Sequence, residues 1–158
     1  VLRTSDGTFP GAVDAAIVYQ ENAKKAGIEI EVKREPADGY WNNIWRNVPF
    51  CMSYYGSRLT QDLMYATEHL SDSPANETNF RRPDFDKLIK EARMVEEEAK
   101  RAELYRAAAL MVRDEGGSII PVFNNNINAQ VAFLKGYVDD VGNDMSNGYV
   151  ASRVWLDA

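Results

Sequence analysis

Apolar and polar positions divide the chain into segments of different period. From Ala12 to Ala26 the sequence is rich in Ala, with Val13, Ala16, Ile17 and Ala23 near one face of a helix and Gly27 where such a helix stops. Ile28, Ile30 and Val32 then alternate with Glu29, Glu31 and Lys33, the period of a strand with one buried face, and Pro36 closes it. Tyr40 to Trp45 reads as a short helix, and Phe50-Cys51-Met52-Ser53-Tyr54-Tyr55 as a buried apolar strand running into Gly56. Residues Glu68 to Asn79 are polar and include Pro74, which predicts a surface loop.

A helix opens at Pro83, where a missing N–H costs nothing, and places Phe85, Leu88, Ile89 and Ala92 on its core face. A second, from about Ala99 to Asp114, repeats the pattern with Leu104, Ala108, Met111 and Val112, and Gly116-Gly117 ends it. Strands are predicted over Ile119 to Phe123 and Asn128 to Phe133. Asp139 to Asn147 is rich in Asp, Asn and Gly and reads as irregular; Tyr149 to Leu156 is strand-like again. This order predicts an α/β domain in which helices cover the apolar faces of one mixed sheet.

Composition narrows the function classes. With 158 residues and 45% apolar content, the chain suffices for one domain with its own core. Eighteen basic against 24 acidic residues give a net charge of −6, which argues against a nucleic-acid or anionic-membrane surface. No apolar run reaches the roughly 18 residues of a membrane span, and Val1-Leu2-Arg3-Thr4 has no signal-peptide pattern. A single Cys51 excludes an internal disulfide and a Cys-rich zinc site.

Catalytic readings find little to use. Glu96-Glu97-Glu98 is a charge run beside a helix, the usual composition of a solvated face. His69, the single histidine, falls in the polar loop without a spaced partner and reads as a surface residue. Cys51 lies in the apolar strand, where a thiol behaves as a small hydrophobe. Gly116-Gly117 follows a helix instead of leading into one, so it is a helix stop and not a phosphate loop. The richest constellation is Tyr54-Tyr55-Gly56-Ser57-Arg58-Leu59-Thr60-Gln61-Asp62, which combines aromatics, hydroxyls, a guanidinium and a carboxylate after a strand. Taken alone it is either an ordinary strand end, with Arg58 paired to Asp62 or to solvent, or a binding loop.

Several segments together carry a family resemblance. Asn79-Phe80-Arg81-Arg82-Pro83-Asp84-Phe85-Asp86-Lys87-Leu88-Ile89-Lys90-Glu91-Ala92-Arg93, followed by Lys100-Arg101-Ala102-Glu103-Leu104-Tyr105, resembles the C-terminal lobe of the peptide/nickel-type binding proteins of bacterial ABC importers (extracellular solute-binding protein family 5). The likeness continues in Ile119-Ile120-Pro121-Val122-Phe123 and Leu134-Lys135-Gly136-Tyr137, and upstream in Ala23-Lys24-Lys25-Ala26-Gly27-Ile28-Glu29-Ile30 and Asp38-Gly39-Tyr40-Trp41.

The resemblance implies the C-terminal lobe of a two-lobed, type II-like periplasmic binding protein. It implies noncatalytic capture of a small solute, such as a short peptide or peptide-like compound, for a membrane permease, with no cofactor and a periplasmic location. Residues 1–142 would form the solute-binding lobe and 143–158 a tail returning to the other lobe. Ligand contacts would come from Tyr54, Tyr55, Gly56, Ser57, Arg58, Asp62 and Trp41. Aligning the family's strand-end aromatic to Tyr54 puts Ser57 where peptide-binding relatives place an aspartate for the peptide's amino group. A hydroxyl cannot neutralise an ammonium, whereas Arg58 suits a carboxylate or other oxyanion, leaving Asp62 to orient Arg58 or to meet a cation. Trp41 and Trp45 would be stacking walls or core. Readings from other classes are a hydrolase using a carboxylate pair and a protein-interaction module using the tail.

Overall fold

A computed structural model describes residues 1–125, 127–140 and 148–157. They form two compact units, Val1–Tyr55 and Gly56–Ala158. Helices alternate with short strands paired both parallel and antiparallel, an α/β architecture in which the strands make two small sheets.

The first unit is built on a strand–helix–strand step. Strand β1 (Leu2–Thr4) leads to helix α1 (Ala12–Lys25), which returns the chain to β2 (Val32–Arg34), parallel to β1 with Leu2 opposite Val32. Alternate residues of β1 face opposite neighbours: the Leu2 amide donates to the Glu31 carbonyl, while Arg3 bonds Phe50 and Met52 on the other side. Leu2, Thr4, Ala12, Ala16 and Tyr40 are buried. Two small Ala residues let α1 approach the strands closely, whereas Ile17, expected near the same face, is exposed. Gly27, at φ 78°, supplies the left-handed step that ends α1; the Gly27 and Ile28 amides then bond the Lys24 and Ala23 carbonyls. Helix α2 (Tyr40–Asn43) is a single turn.

In the second unit, α3 (Gln61–Glu68) precedes the long pair α4 (Pro83–Met94) and α5 (Glu98–Glu115). Phe85 and Ile89 of α4, Ala108 of α5, Tyr65 of α3 and Phe80 of the preceding loop form its core. Phe80 and Phe85 meet edge to face with ring centroids 5.2 Å apart. The two-residue strands β3 (Leu134–Lys135) and β4 (Trp155–Leu156) pair antiparallel.

Several expected elements differ. The Ile28–Val32 strand begins only at Val32 and leaves Ile28 exposed, because the three-residue β1 offers no further edge. For the same reason the expected strand over Phe50–Tyr55 contracts to a single parallel bridge at Cys51. Ile119–Phe123 and Asn128–Phe133 form no strand: β-branched residues favour extended backbone, but a ladder needs an adjacent strand, and among the described residues only Phe133, next to β3, meets one, its carbonyl accepting the Asp157 amide. The expected boundary at residues 142/143 lies outside the described residues, as does most of the Asp139–Asn147 segment. Tyr149 to Leu156 is a 3-10 turn over Val150–Ser152 followed by β4, with Trp155 59% exposed.

Candidate functional site

The residues singled out from the sequence divide between the units. In the first, α2 presents Trp41 from its second position, and Gly39, at φ 77°, starts that turn. The Tyr40 hydroxyl anchors it by donating to the Met52 carbonyl at 2.8 Å, and the Trp41 indole donates to the Gly7 carbonyl at 3.3 Å. With its N–H satisfied, Trp41 meets Tyr54 and Trp45 edge to face, at centroid distances of 5.8 and 5.7 Å. Tyr54 is 57% exposed, so this row of rings has an open face. Arg46 extends it, its guanidinium carbon 5.6 Å from the Trp45 ring centroid. Trp41 and Tyr54 are thus brought together; Tyr55 is half-buried at the end of the unit.

In the second unit Gly56, Ser57 and Arg58 form an exposed loop. Arg58 folds back on it, Nη1 donating to the carbonyls of Gly56 at 2.9 Å and Ser57 at 3.1 Å. Thr60 then caps α3, its hydroxyl oxygen accepting the Leu63 amide at 3.2 Å. Asp62, in the first turn, does not meet Arg58. Its two oxygens accept from Nε and Nη2 of Arg93 at 2.9 and 3.0 Å, and the Tyr105 hydroxyl donates to the same carboxylate at 2.9 Å. Burial pushes the Asp62 carboxyl up, but the Arg93 and Tyr105 hydrogen bonds outweigh it and leave it below the usual value. Burial and the bond to Asp62 together raise the Tyr105 phenol.

Sequence reasoning missed α3, and with it both partners of Asp62, which lie 31 and 43 residues further along the chain. The Thr60 cap was the local signal for the helix. Arg93 and Tyr105 stand in segments that carry the family resemblance, but nothing local marks them as partners of Asp62.

His69 requires a correction: it is not on the surface but only 3% exposed. Because α3 runs to Glu68, His69 is turned beneath the aromatic core, its ring 6.0 Å from those of Tyr65 and Phe80 and 6.2 Å from Phe85. Burial lowers its pKa to about 4. Neighbouring Glu68 is also buried, which raises its pKa; an acceptor bond from the Ser118 hydroxyl at 3.1 Å opposes that shift and the Glu77 charge adds to it. Glu96, Glu97 and Glu98 are exposed, as their composition predicts. Among the described residues no three His, Cys, Asp or Glu side chains are grouped to hold a metal, and no helix is long and apolar enough to cross a membrane.

No protein-family model matches the chain, and no curated protein does. Solved structures do. The oligopeptide-binding protein AppA of Bacillus subtilis, in complex with a nonapeptide, superposes with a TM-score of 0.68 at 21% identity, covering 98% of this chain and 31% of its own. The ABC transporter substrate-binding protein CtaP of Listeria monocytogenes gives 0.61 at 20% identity over 73% of this chain and 24% of its own. NikZ of Campylobacter jejuni, in complex with Ni(L-His), gives 0.58 at 17% identity, again over 73% and 24%. The chain therefore has the fold of part of these binding proteins, and it spans about a quarter to a third of their length.

Proposed function

We propose that this chain serves as the C-terminal lobe of a binding protein of the peptide/nickel type, capturing a short peptide or peptide-like solute without chemistry and delivering it to the permease of an ABC importer. The observation that carries this reading is the superposition on the oligopeptide-binding protein over 98% of the chain. Such capture needs no nucleophile or general base, and places the protein outside the cytoplasmic membrane, in the periplasm or its equivalent.

Each unit contributes its own candidate contacts. In the first, Trp41, Tyr54 and Tyr55 supply aromatic surface for peptide planes or apolar side chains. In the second, Gly56 and Ser57 offer backbone and hydroxyl groups, and the Arg58 guanidinium suits a solute oxyanion. Asp62 acts as support for that loop. Residues 148–157, with Tyr149, Trp155 and Leu156 exposed, fit a tail whose apolar side chains are covered by the other lobe.

Native mass spectrometry of the complete protein purified without denaturation tests the reading. A peptide-sized solute retained at one copy per protein is the expected result. A preparation that neither retains such a solute nor takes one up from a short-peptide mixture would overturn it.

A further inference from the structure

The Asp62 carboxylate is held by two residues, Arg93 and Tyr105, that neither the family likeness nor the sequence assigned to it. A carboxylate with both oxygens engaged by one guanidinium and a third donor from a phenol has little capacity left for a solute cation. It joins three elements, since Asp62 begins α3, Arg93 closes α4 and Tyr105 lies in α5. The Gly56–Thr60 loop runs directly into that first turn, and the Thr60 cap leaves little slack between them.

We propose that Arg93 and Tyr105 are positioning residues that hold the Gly56–Thr60 loop, and with it Arg58, in place through the Asp62 carboxylate. The inference rests on the reading of Arg58 as a solute contact. Within the loop, the bonds from Arg58 to the Gly56 and Ser57 carbonyls set its shape. Asp62 fixes its exit to the helix pair. Tyr105 is also seated by its ring, stacked on Tyr65 with centroids 6.4 Å apart, so replacing only its hydroxyl leaves the packing intact. Arg93 offers the complementary change: a lysine keeps the charge but cannot make the paired bonds.

The test uses Tyr105→Phe and Arg93→Lys in the complete protein, with hydrogen exchange measured at the amides of residues 57–63 and of α4. Loop amides should exchange about five- to tenfold faster while α4 amides and the melting temperature stay close to those of the parent. Unchanged loop exchange, or acceleration of α4 to the same extent, overturns the proposal. A second arm measures tetra-alanine affinity by calorimetry for Arg93→Lys, Arg58→Ala and the double variant. Positioning through Arg58 predicts that Arg93→Lys weakens binding in the parent and has little further effect once Arg58 is gone; full additivity overturns it. If Arg58→Ala is itself silent, the reading of Arg58 as a solute contact falls; in that case, or if the parent does not bind tetra-alanine, the exchange measurement decides whether Asp62 anchors the loop.

Discussion

The helix pair α4/α5 and the segment from Ile119 to Phe133 carry comparable densities of apolar side chains and treat them in opposite ways. Phe85 and Ile89 are fully buried, whereas Phe123 is 87% exposed and Ile120, Val122 and Val131 are exposed with it. The difference lies in what each backbone needs. A helix satisfies its own N–H and C=O groups, so α4 and α5 are free to bury one face each against Phe80 and Tyr65. An extended segment must find another strand for its polar groups before its side chains can stack in a core, and among the described residues only Phe133, at the end of the segment, meets one. Apolar sequence therefore becomes stability in the first region and remains exposed surface in the second.

The largest effect that could break this contrast is at Phe85. Phe85→Ala should cost about 3–5 kcal/mol in chemical denaturation, because the ring fills the centre of the aromatic cluster. A loss no larger than that of a surface substitution would show that the core is not where the packing places it.

The buried His69 gives the second effect. Its pKa of about 4 lies below the ordinary 6.5, so the unfolded chain takes up a proton first as pH falls. Stability should decline between about pH 6.5 and 4, by roughly 2–3 kcal/mol across that window. Glu68 has the opposite sign: its raised pKa means that its contribution is lost as pH rises above its ordinary value of 4.5. Melting curves against pH should therefore keep the acid limb in Glu68→Gln and lose it in His69→Phe. An acid limb unchanged in His69→Phe would remove the histidine from the account.

Two smaller changes probe the exposed region. Gly136 stands at φ 80°, and a Cβ there would run into the Trp155 ring and the Arg153 carbonyl. Gly136→Ala should open the β3/β4 pair by about 1–2 kcal/mol, seen as faster exchange of the Asp157 amide that donates to the Phe133 carbonyl, with the helix-pair amides unaffected. Phe123→Ala should change the stability of this chain by no more than about 0.5 kcal/mol. A cost of several kcal/mol would mean that Phe123 is buried.

The same contrast explains what was legible in the sequence. Helices α1, α4 and α5 lie within a residue or two of their predicted ends, because Gly27, Pro83 and Gly116 mark them locally and their apolar periodicity needs no distant partner. Strand lengths depend on the neighbour as much as on the strand, and there the periodicity of Ile28–Val32 and Phe50–Tyr55 overshot. At the candidate site, the aromatic contact between Trp41 and Tyr54 brings together two residues chosen from sequence. The Asp62 partners could not be read, since a carboxylate flanked by Arg58 gives no local reason to prefer Arg93 and Tyr105. His69 was misplaced because the polar residues around it hid the end of a helix.

The central claim is capture without chemistry, and one measurement addresses it most directly. The complete protein is titrated calorimetrically with the solute identified by native mass spectrometry, and the mixture is then denatured and the solute recovered and weighed. The account predicts saturable binding at one site and quantitative recovery of an unaltered solute after prolonged incubation. Conversion of the solute into products, or no saturable binding, would contradict it.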